Sequence, residues 1–312
     1  WKHCLKKLNA STPLPAPPKV EPPKVSLRTT ELSELNLQPE QDWGHSMNEV
    51  WTPGEPGAAS ALELFINESF NEYAQNRNFP NTKGTSRLSP HLRFGEISPR
   101  QIKHSLEQSG HTHWKESHYL SEIGWREFGY HLLYHFPHTV REPLRPQFNR
   151  FPWKENSPQL RSWQKGQTGY PLVDAGMREL WATGWMHNRV RMVVASFLVK
   201  HLLIHWRHGA DWFWDTLVDA DLASNTQGWQ WTAGSGADAA PYFRIFNPTT
   251  QAIKFDPEGD YIRKWVPELR HVSAPDIFEP SKVDRGQNYP NPIVNHSDAR
   301  DRALKAYEKT KA

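Results

Sequence analysis

The sequence predicts an all-α domain running from about residue 58 to the end of the chain. Three observations predict it. Apolar residues recur at helical spacing in one segment after another beyond Ala58, and alternating β-branched strand patterns are almost absent. A proline-dense stretch at Thr12–Lys24 sets these segments apart from the first ten residues. With 312 residues, 37% of them hydrophobic, the chain has ample material for a large buried core.

Residues 1–10 read as the end of a helix that belonged to something upstream. Pro13, Pro15, Pro17, Pro18, Pro22 and Pro23 then forbid helix and favour an extended linker. Because the chain opens on Trp1 rather than Met, a fragment of a longer protein is expected. Residues 25–57 stay polar, with turn signals at Pro53-Gly54 and Pro56-Gly57, so 1–57 is read as helix end plus linker. The run AASALELFINESFNEYAQNR predicts the first long helix, from the spacing of Leu62, Phe65, Ile66, Phe70 and Tyr73. Helices follow at ISPRQIKHSLEQS, where Ser98 is the N-cap, and at HYLSEIGWREFGYHLLYHF, PLVDAGMRELWATG and HNRVRMVVASFLVKHLLIHW. DWFWDTLVDADLAS, the region 257–266 and DARDRALKAYEKTK complete the set, with no internal repeat. Gly184 ends one helix and lets the next begin at once, which leaves a helix N-terminus free to face an anion.

The net charge of +3 permits a polyanionic partner without demanding one. The single Cys4 excludes an internal disulfide and a four-thiolate cluster, and points to a reducing, cytoplasmic setting. No apolar run reaches membrane-spanning length, and no signal-peptide pattern is present. His131 and His135 have ligand-like spacing but lack a third ligand in sequence, so no metal is expected. Fifteen tryptophans is a heavy load, to be divided between core filling, ligand stacking and electron transfer.

Four segments carry chemistry. KGTSRLSPHLRFGEIS (83–98) offers hydroxyls at Thr85, Ser86 and Ser89 beside Gly84 and Arg87, a loop suited to phosphate oxygens, although such residues before a helix are more often simple caps. In SEIGWREF (121–128), Glu122, Trp125 and Arg126 share one helix face, as they would in an ordinary ion pair beside a core indole or in a nucleotide site. WMHNRVRMVVASFLVKHLLIHW (185–206) opens too polar for a pure core helix, with Asn188 and Met192 on one face and His187 and Arg191 likewise a turn apart. DADLASNTQGWQWTAGSGADAAPYFRIFNPTTQ (219–251) is too irregular and too rich in small residues for a plain helix, and lets backbone approach a flat ligand.

Together these segments resemble the C-terminal FAD-binding domain of the photolyase–cryptochrome family, continuously from about Ala58 to Ala312. TSRLSPHL, WMHNRVRM and NTQGWQW occur in order, and DYIRKWVPELR and YPNPIVNHSDARDRALKAY match as well. WKHCLKKL is similar to the helix that ends the family's N-terminal antenna domain. The resemblance implies a large helical fold (58–312) that binds FAD and a DNA lesion. It implies light-driven splitting of cyclobutane pyrimidine dimers, a carbon–carbon lyase reaction, by a monomer acting on damaged DNA. The antenna chromophore, a folate or a deazaflavin, would belong to the full-length protein, with most of its site absent from this chain.

Carried over by motif, Tyr73, Thr85, Ser86, Arg87, Leu88 and Ser89 would hold the pyrophosphate and nearby groups of FAD. Arg191 and Asp219 would pair beside the isoalloxazine, with Ala220 and Asp221 also at the cofactor, and the amide of Asn225 would face its N5. Trp125 and Trp231 would stack on the flipped-out dimer, Glu122 would bond its base edges and Met192 would pack beneath it. Arg77, Arg126, Asn188, Arg189 and Gln251 would lie near the DNA or the lesion. Trp229, Trp206 and Trp153 would form the chain of indoles that reduces the flavin. Asn188, Met192 and Glu122 together are the combination of class I and related class III dimer photolyases. Asn225 leans the same way, against the alternative of a cryptochrome that signals without repair. A helical nucleic-acid-binding module without cofactor is the reading from another class.

Overall fold

The computed structural model describes the chain except residues 16, 20, 22, 38–40, 239–242, 283–287 and 312, so parts of the proline-rich linker and of the small-residue stretch before Phe243 lie outside the described residues. The described residues form helices and turns, with no strand. In chain order the α-helices are α1 (Lys2–Asn9), α2 (His45–Val50), α3 (Glu55–Glu68), α4 (Tyr73–Asn76), α5 (Ser89–Phe94), α6 (Pro99–Gln108), α7 (His118–His135) and α8 (Ser157–Gln164). They continue with α9 (Pro171–Thr183), α10 (Asn188–Ser196), α11 (Trp206–Thr216), α12 (Leu222–Ala233), α13 (Pro248–Phe255), α14 (Asp260–Trp265) and α15 (His296–Glu308). None of these helices is long and apolar enough to cross a membrane.

Local chemistry explains the boundaries that the sequence predicts well. Ser98 and Gln101 form a reciprocal capping box that starts α6, and the Ser117 hydroxyl accepts from the Leu120 N–H to start α7. Gly184 ends α9 in the left-handed region at φ 66°, where a Cβ would come within 2.5 Å of Val218.

Other boundaries differ from the expectation. The segment 58–77 is not one helix: it breaks after Glu68, turns through residues 69–72 and restarts as α4, which delivers Phe70 and Tyr73 to the same aromatic cluster around Phe65. Its helix also starts earlier, at Glu55, because Pro56 is tolerated in a first turn and Gly57 fits against the Thr52 carbonyl, where a Cβ would stand at 1.9 Å. The 187–206 segment ends as a helix in a π-helical turn at Phe197–His201, and Leu203, at φ 57°, reverses the chain so that Trp206 opens α11. The segment 219–233, expected to be irregular, is a regular helix from Leu222 onward, capped by Asp221.

Three clusters make the core. The largest joins α9, α10, α11, α12 and α14, with Trp163, Phe197, Trp206 and Tyr261 all but fully buried. Trp163 satisfies its indole N–H on the Val194 carbonyl at 3.0 Å, so an indole sits in the core without leaving a donor unpaired. A second cluster packs α3, α6 and α7, and Leu5 and Leu8 of α1 lie against it. The Trp1 ring covers Gly124, where a Cβ would be 2.5 Å from the indole. A smaller third cluster, with Phe148, Phe151 and Phe243, holds α15. Residues just ahead of α3 are bound to this body as well. Trp43 stacks on Trp181 at 5.5 Å, Ser46 bonds the Ala182 carbonyl and the Trp51 indole bonds the Thr183 carbonyl.

Two histidines serve as N-caps: His187 Nδ1 accepts from the Arg189 N–H, and His205 Nδ1 from the Arg207 N–H. Burial, reinforced by neighbouring cations, pushes His187 down to about 3 and His205 down to about 4. Burial likewise pushes His201 down to about 3, with His296 the next cause. These folded values lie below the ordinary one, so the unfolded chain takes up protons that the folded chain refuses. The stability involved is therefore complete above pH 6.5 and is lost as pH falls towards the folded values. Asp256, pushed up to about 6 by burial, works in the opposite sense. Unfolding near pH 5 is expected to take up roughly two net protons from these four groups. Urea midpoints at pH 7 and pH 5 check this; equal midpoints would contradict it.

Candidate functional site

A cavity of 680 Å³ opens between α7, α10 and α12, within the rough range of 300–1,000 Å³ that ligand clefts occupy. The loop ahead of α5 forms one wall and the turn at 217–221 another. The first turns of α5, α10 and α12 all line it, bringing backbone N–H groups and helix dipoles to one space.

At one end stand Thr85–Ser89. Ser86 Oγ accepts from the Tyr119 hydroxyl at 3.1 Å and from the Leu88 N–H at 3.4 Å, and Ser89 Oγ accepts from the Trp185 indole. Arg87 takes the left-handed conformation, φ 53°, uncommon for a side chain of this size. Its guanidinium lies between the Trp51 and Trp185 rings, 4.7 and 4.5 Å from their centroids. Burial lowers its pKa, and Glu179 and Asp219 counter that. Tyr73 is pushed up to about 12, chiefly by burial, and remains a neutral phenol.

Deeper in, Arg191 Nη2 meets Asp219 Oδ2 at 2.8 Å, while Arg191 Nε donates to the Met186 carbonyl at 2.6 Å. The other carboxylate oxygen, Asp219 Oδ1, is buried with no partner. A buried acceptor left unbonded is costly in a native fold, so this atom calls for a donor that the protein does not provide. Asn225 Nδ2 donates to the Ala210 carbonyl at 2.9 Å, which leaves the amide oxygen as the end offered to the cavity. An orphaned acceptor, an oriented amide oxygen and a hydroxyl-lined loop fit a polar, hydrogen-bonding cofactor with phosphate groups. Asp221 is otherwise engaged: Oδ1 caps α12 through the Ser224 N–H and Oδ2 accepts from the Tyr130 hydroxyl.

On the α7 side, Glu122, Trp125 and Arg126 line the same cavity, with Met192 and Asn188 from α10 and Trp231 from α12. Glu122 is held by Arg77 at 2.6 Å, and the Arg77 guanidinium lies 5.3 Å from the Tyr73 ring. Trp125 is 52% exposed and therefore belongs to the mouth rather than the core.

Every residue to which the resemblance gave a cofactor, DNA or electron-path role lines this cavity except Trp206, Trp153, Arg189 and Gln251. Arg189 turns towards α4 and α13 instead, bonding Asn78 Oδ1 and lying 4.5 Å from the Phe255 ring. Gln251 sits on α13 beyond the lining. Trp229 lines the cavity at 2% exposure, Trp206 is 1% exposed, and Trp153 is half-buried on the same core cluster. His205 bridges the outer two, 4.9 Å from Trp153 and 5.5 Å from Trp206. Gly209 makes room for Trp229, since a Cβ there would fall 2.0 Å from the indole. The sequence reading missed Tyr119, Trp185, Phe213 and Arg93, which also line the cavity. Trp185 stood inside WMHNRV and had a signal, whereas the other three look like any helical aromatic or cation.

Replacing Arg191 with leucine strands Asp219 as a buried, unpaired carboxylate and is expected to cost about 3 kcal/mol. A urea midpoint no lower than that of the parent chain would contradict this.

Residues 119–309 match the model of the FAD binding domain of DNA photolyase. The chain is 48% identical to a deoxyribodipyrimidine photo-lyase of Agrobacterium fabrum, over 96% of this chain and 65% of that protein. It is 49% identical to the enzyme of the same name from Escherichia coli, over 81% and 56%. The crystal structure of a bacterial class III photolyase from Agrobacterium tumefaciens superposes with a TM-score of 0.88 at 49% identity, covering 93% of this chain and 63% of that one. The chain thus spans somewhat less than two thirds of the length of these relatives. A helical fold, a cavity built by the four singled-out segments and a match over most of its length have one common meaning: the chain belongs to the family of the FAD-binding domain of DNA photolyases.

Proposed function

We propose that the cavity holds FAD and that the chain carries out light-driven repair of cyclobutane pyrimidine dimers in DNA. One observation carries the reading. Groups suited to a flavin dinucleotide (Thr85–Ser89, Arg191–Asp219, Asn225) and groups suited to a flipped-out pyrimidine dimer (Glu122, Trp125, Asn188, Met192, Trp231) line one continuous cavity. A signalling flavoprotein has no need of the second set.

When bound and reduced, FAD would supply an electron to the dimer under blue light and take it back after both carbon–carbon bonds have opened. The protein's own contribution is positional and electrostatic. Asp219 Oδ1 offers a buried acceptor whose charge Arg191 balances, and the Asn225 amide accepts without adding a net charge. Trp125 and Trp231 offer faces for stacking, Met192 an apolar floor, and Glu122 a hydrogen-bonding edge. In the free protein Glu122 is tied to Arg77, so a DNA phosphate that draws on Arg77 would release Glu122 to the lesion. Trp229, Trp206 and Trp153 run from the cavity wall through the core to a half-buried site, an order that suits stepwise delivery of electrons from the surface.

Purified protein with its flavin reduced is expected to restore thymines from dimer-containing DNA under blue light; no flavin band, or a band without repair, would end the reading. Glu122→Ala should lower the repair yield by roughly tenfold, the loss of one charge-assisted hydrogen bond in the transition state, with flavin retained. Trp206→Phe should slow photoreduction while leaving repair by chemically reduced protein intact, and unchanged photoreduction would remove Trp206 from the path.

A further inference from the structure

Beside the main cavity, and sharing Trp231 and Thr232 with it, is a hollow of only 20 Å³. That is room for about one water, too little for a ligand. Its walls include Arg145, Lys200, Arg244, Phe243 and Tyr307, and no carboxylate is among the described residues that line it. Lys200 belongs to the π-helical turn and is 4% exposed. Its ammonium lies 4.4 Å from the Phe243 ring and donates to the backbone carbonyl of Arg244. Four residues earlier, Ser196 Oγ accepts from the Phe246 N–H at 3.3 Å. Residues 243–247 belong to no helix, so their backbone groups need partners from elsewhere, and these two side chains meet that need at two points. A buried ammonium beside arginines, with no acid among the described lining residues to balance it, is an expensive way to fill a core. Leucine or methionine would fill the same space, so the cost points to a role beyond packing.

We propose that Lys200 is a positioning residue for DNA recognition: with Ser196 it clamps the backbone of the 243–247 segment and so sets where the Arg244 side chain stands. That side chain is exposed; burial lowers the pKa of Arg189, the like charges of Arg77 and Arg244 lower it further, and Glu122 opposes them. Arg77 and Arg244 thus lie near enough to Arg189 to act on its charge, and such a group of cations suits phosphate oxygens. The clamp rests on the reading that DNA is the substrate, and it adds a residue that never touches the DNA. It also links recognition to pH. Burial, then the charge of Arg244, pushes the Lys200 ammonium down to about 7. The groups facing it are Arg145 and Arg244 across the hollow, Tyr307 from α15 and His201 on its own turn. DNA phosphate favours the charged form, so binding takes up a proton and strengthens as pH falls through that range.

The test is a double-mutant cycle on the flavin-loaded chain, read as the dissociation constant for a dimer-containing duplex and for the same duplex undamaged. Lys200→Met keeps the stem and removes the donor. It is expected to weaken binding about tenfold in the parent chain and to add almost nothing on top of Arg244→Ala. It should also remove the part of the affinity gain between pH 8 and pH 6 that the parent shows. Equal weakening in both backgrounds, or an unaltered pH profile, would overturn the clamp. Should Lys200→Met lose its flavin band, Ser196→Ala runs the same cycle, and additivity with Arg244→Ala again overturns the idea. If the parent chain binds both duplexes alike and repairs neither, the dimer reading falls, while the undamaged duplex still reads the clamp.

Discussion

The pairing of Arg191 with Asp219 is the contact around which the site is organised. It joins the first turn of α10 to the short segment between α11 and α12, with the Asp219 carboxylate almost fully buried. Both partners are delivered by local devices. His187 caps α10 and fixes the register of Arg191, while the Val218 N–H bonds the Gly184 carbonyl at 2.8 Å and brings Asp219 alongside. Gly184 takes part at both ends, since it ends α9 and leaves the space that Val218 fills. An ion pair under these conditions contributes little net stability, because desolvation offsets most of the attraction. Its value lies in the oxygen it leaves over, Asp219 Oδ1, held in place with nothing of the protein's own to bond.

Around that pair two other buried carboxylates are matched within the fold. Glu179 accepts from the Tyr261 hydroxyl at 2.7 Å and from the His187 N–H at 3.3 Å, so the residue that caps α10 is itself anchored to α9 and α14. Asp174 accepts from the Thr168 N–H and hydroxyl, the Gly169 N–H and the Tyr289 hydroxyl, which ties the start of α9 to the segment ahead of α15. Carboxylates bonded to several distant groups specify one packing of the helices, because a slipped arrangement would leave several of these groups unpaired at once. The cavity can therefore be large without being loosely built.

The tryptophans illustrate how one residue type serves distinct ends in one domain. Trp163 is core, with its N–H bonded and its surface fully covered. Trp51 and Trp185 sandwich a guanidinium, a use that depends on the ring's negative face. Trp125 projects at the mouth, and Trp229 keeps an unbonded indole N–H at the cavity wall. What separates them is environment, not composition.

The sequence by itself determined the helical class, the Ser98 and Gly184 boundaries and the shared face of Glu122, Trp125 and Arg126, because caps and periodicity act over a few residues. Its four chemistry-bearing segments were also legible, since unusual side chains at fixed offsets survive reading in one dimension. Tertiary structure decided what depends on partners distant in the chain. It broke the helices at residues 69–72 and 202–205, where Phe70 and Leu203 had to turn into the core, and it made 222–233 regular although its composition argued otherwise. It engaged both oxygens of Asp221, sent Arg189 to Asn78, gave Glu122 to Arg77 and set Lys200 beneath Arg244. Each of these outcomes turns on where a second, sequence-distant group lies within a few ångströms, and only the packed fold fixes that distance.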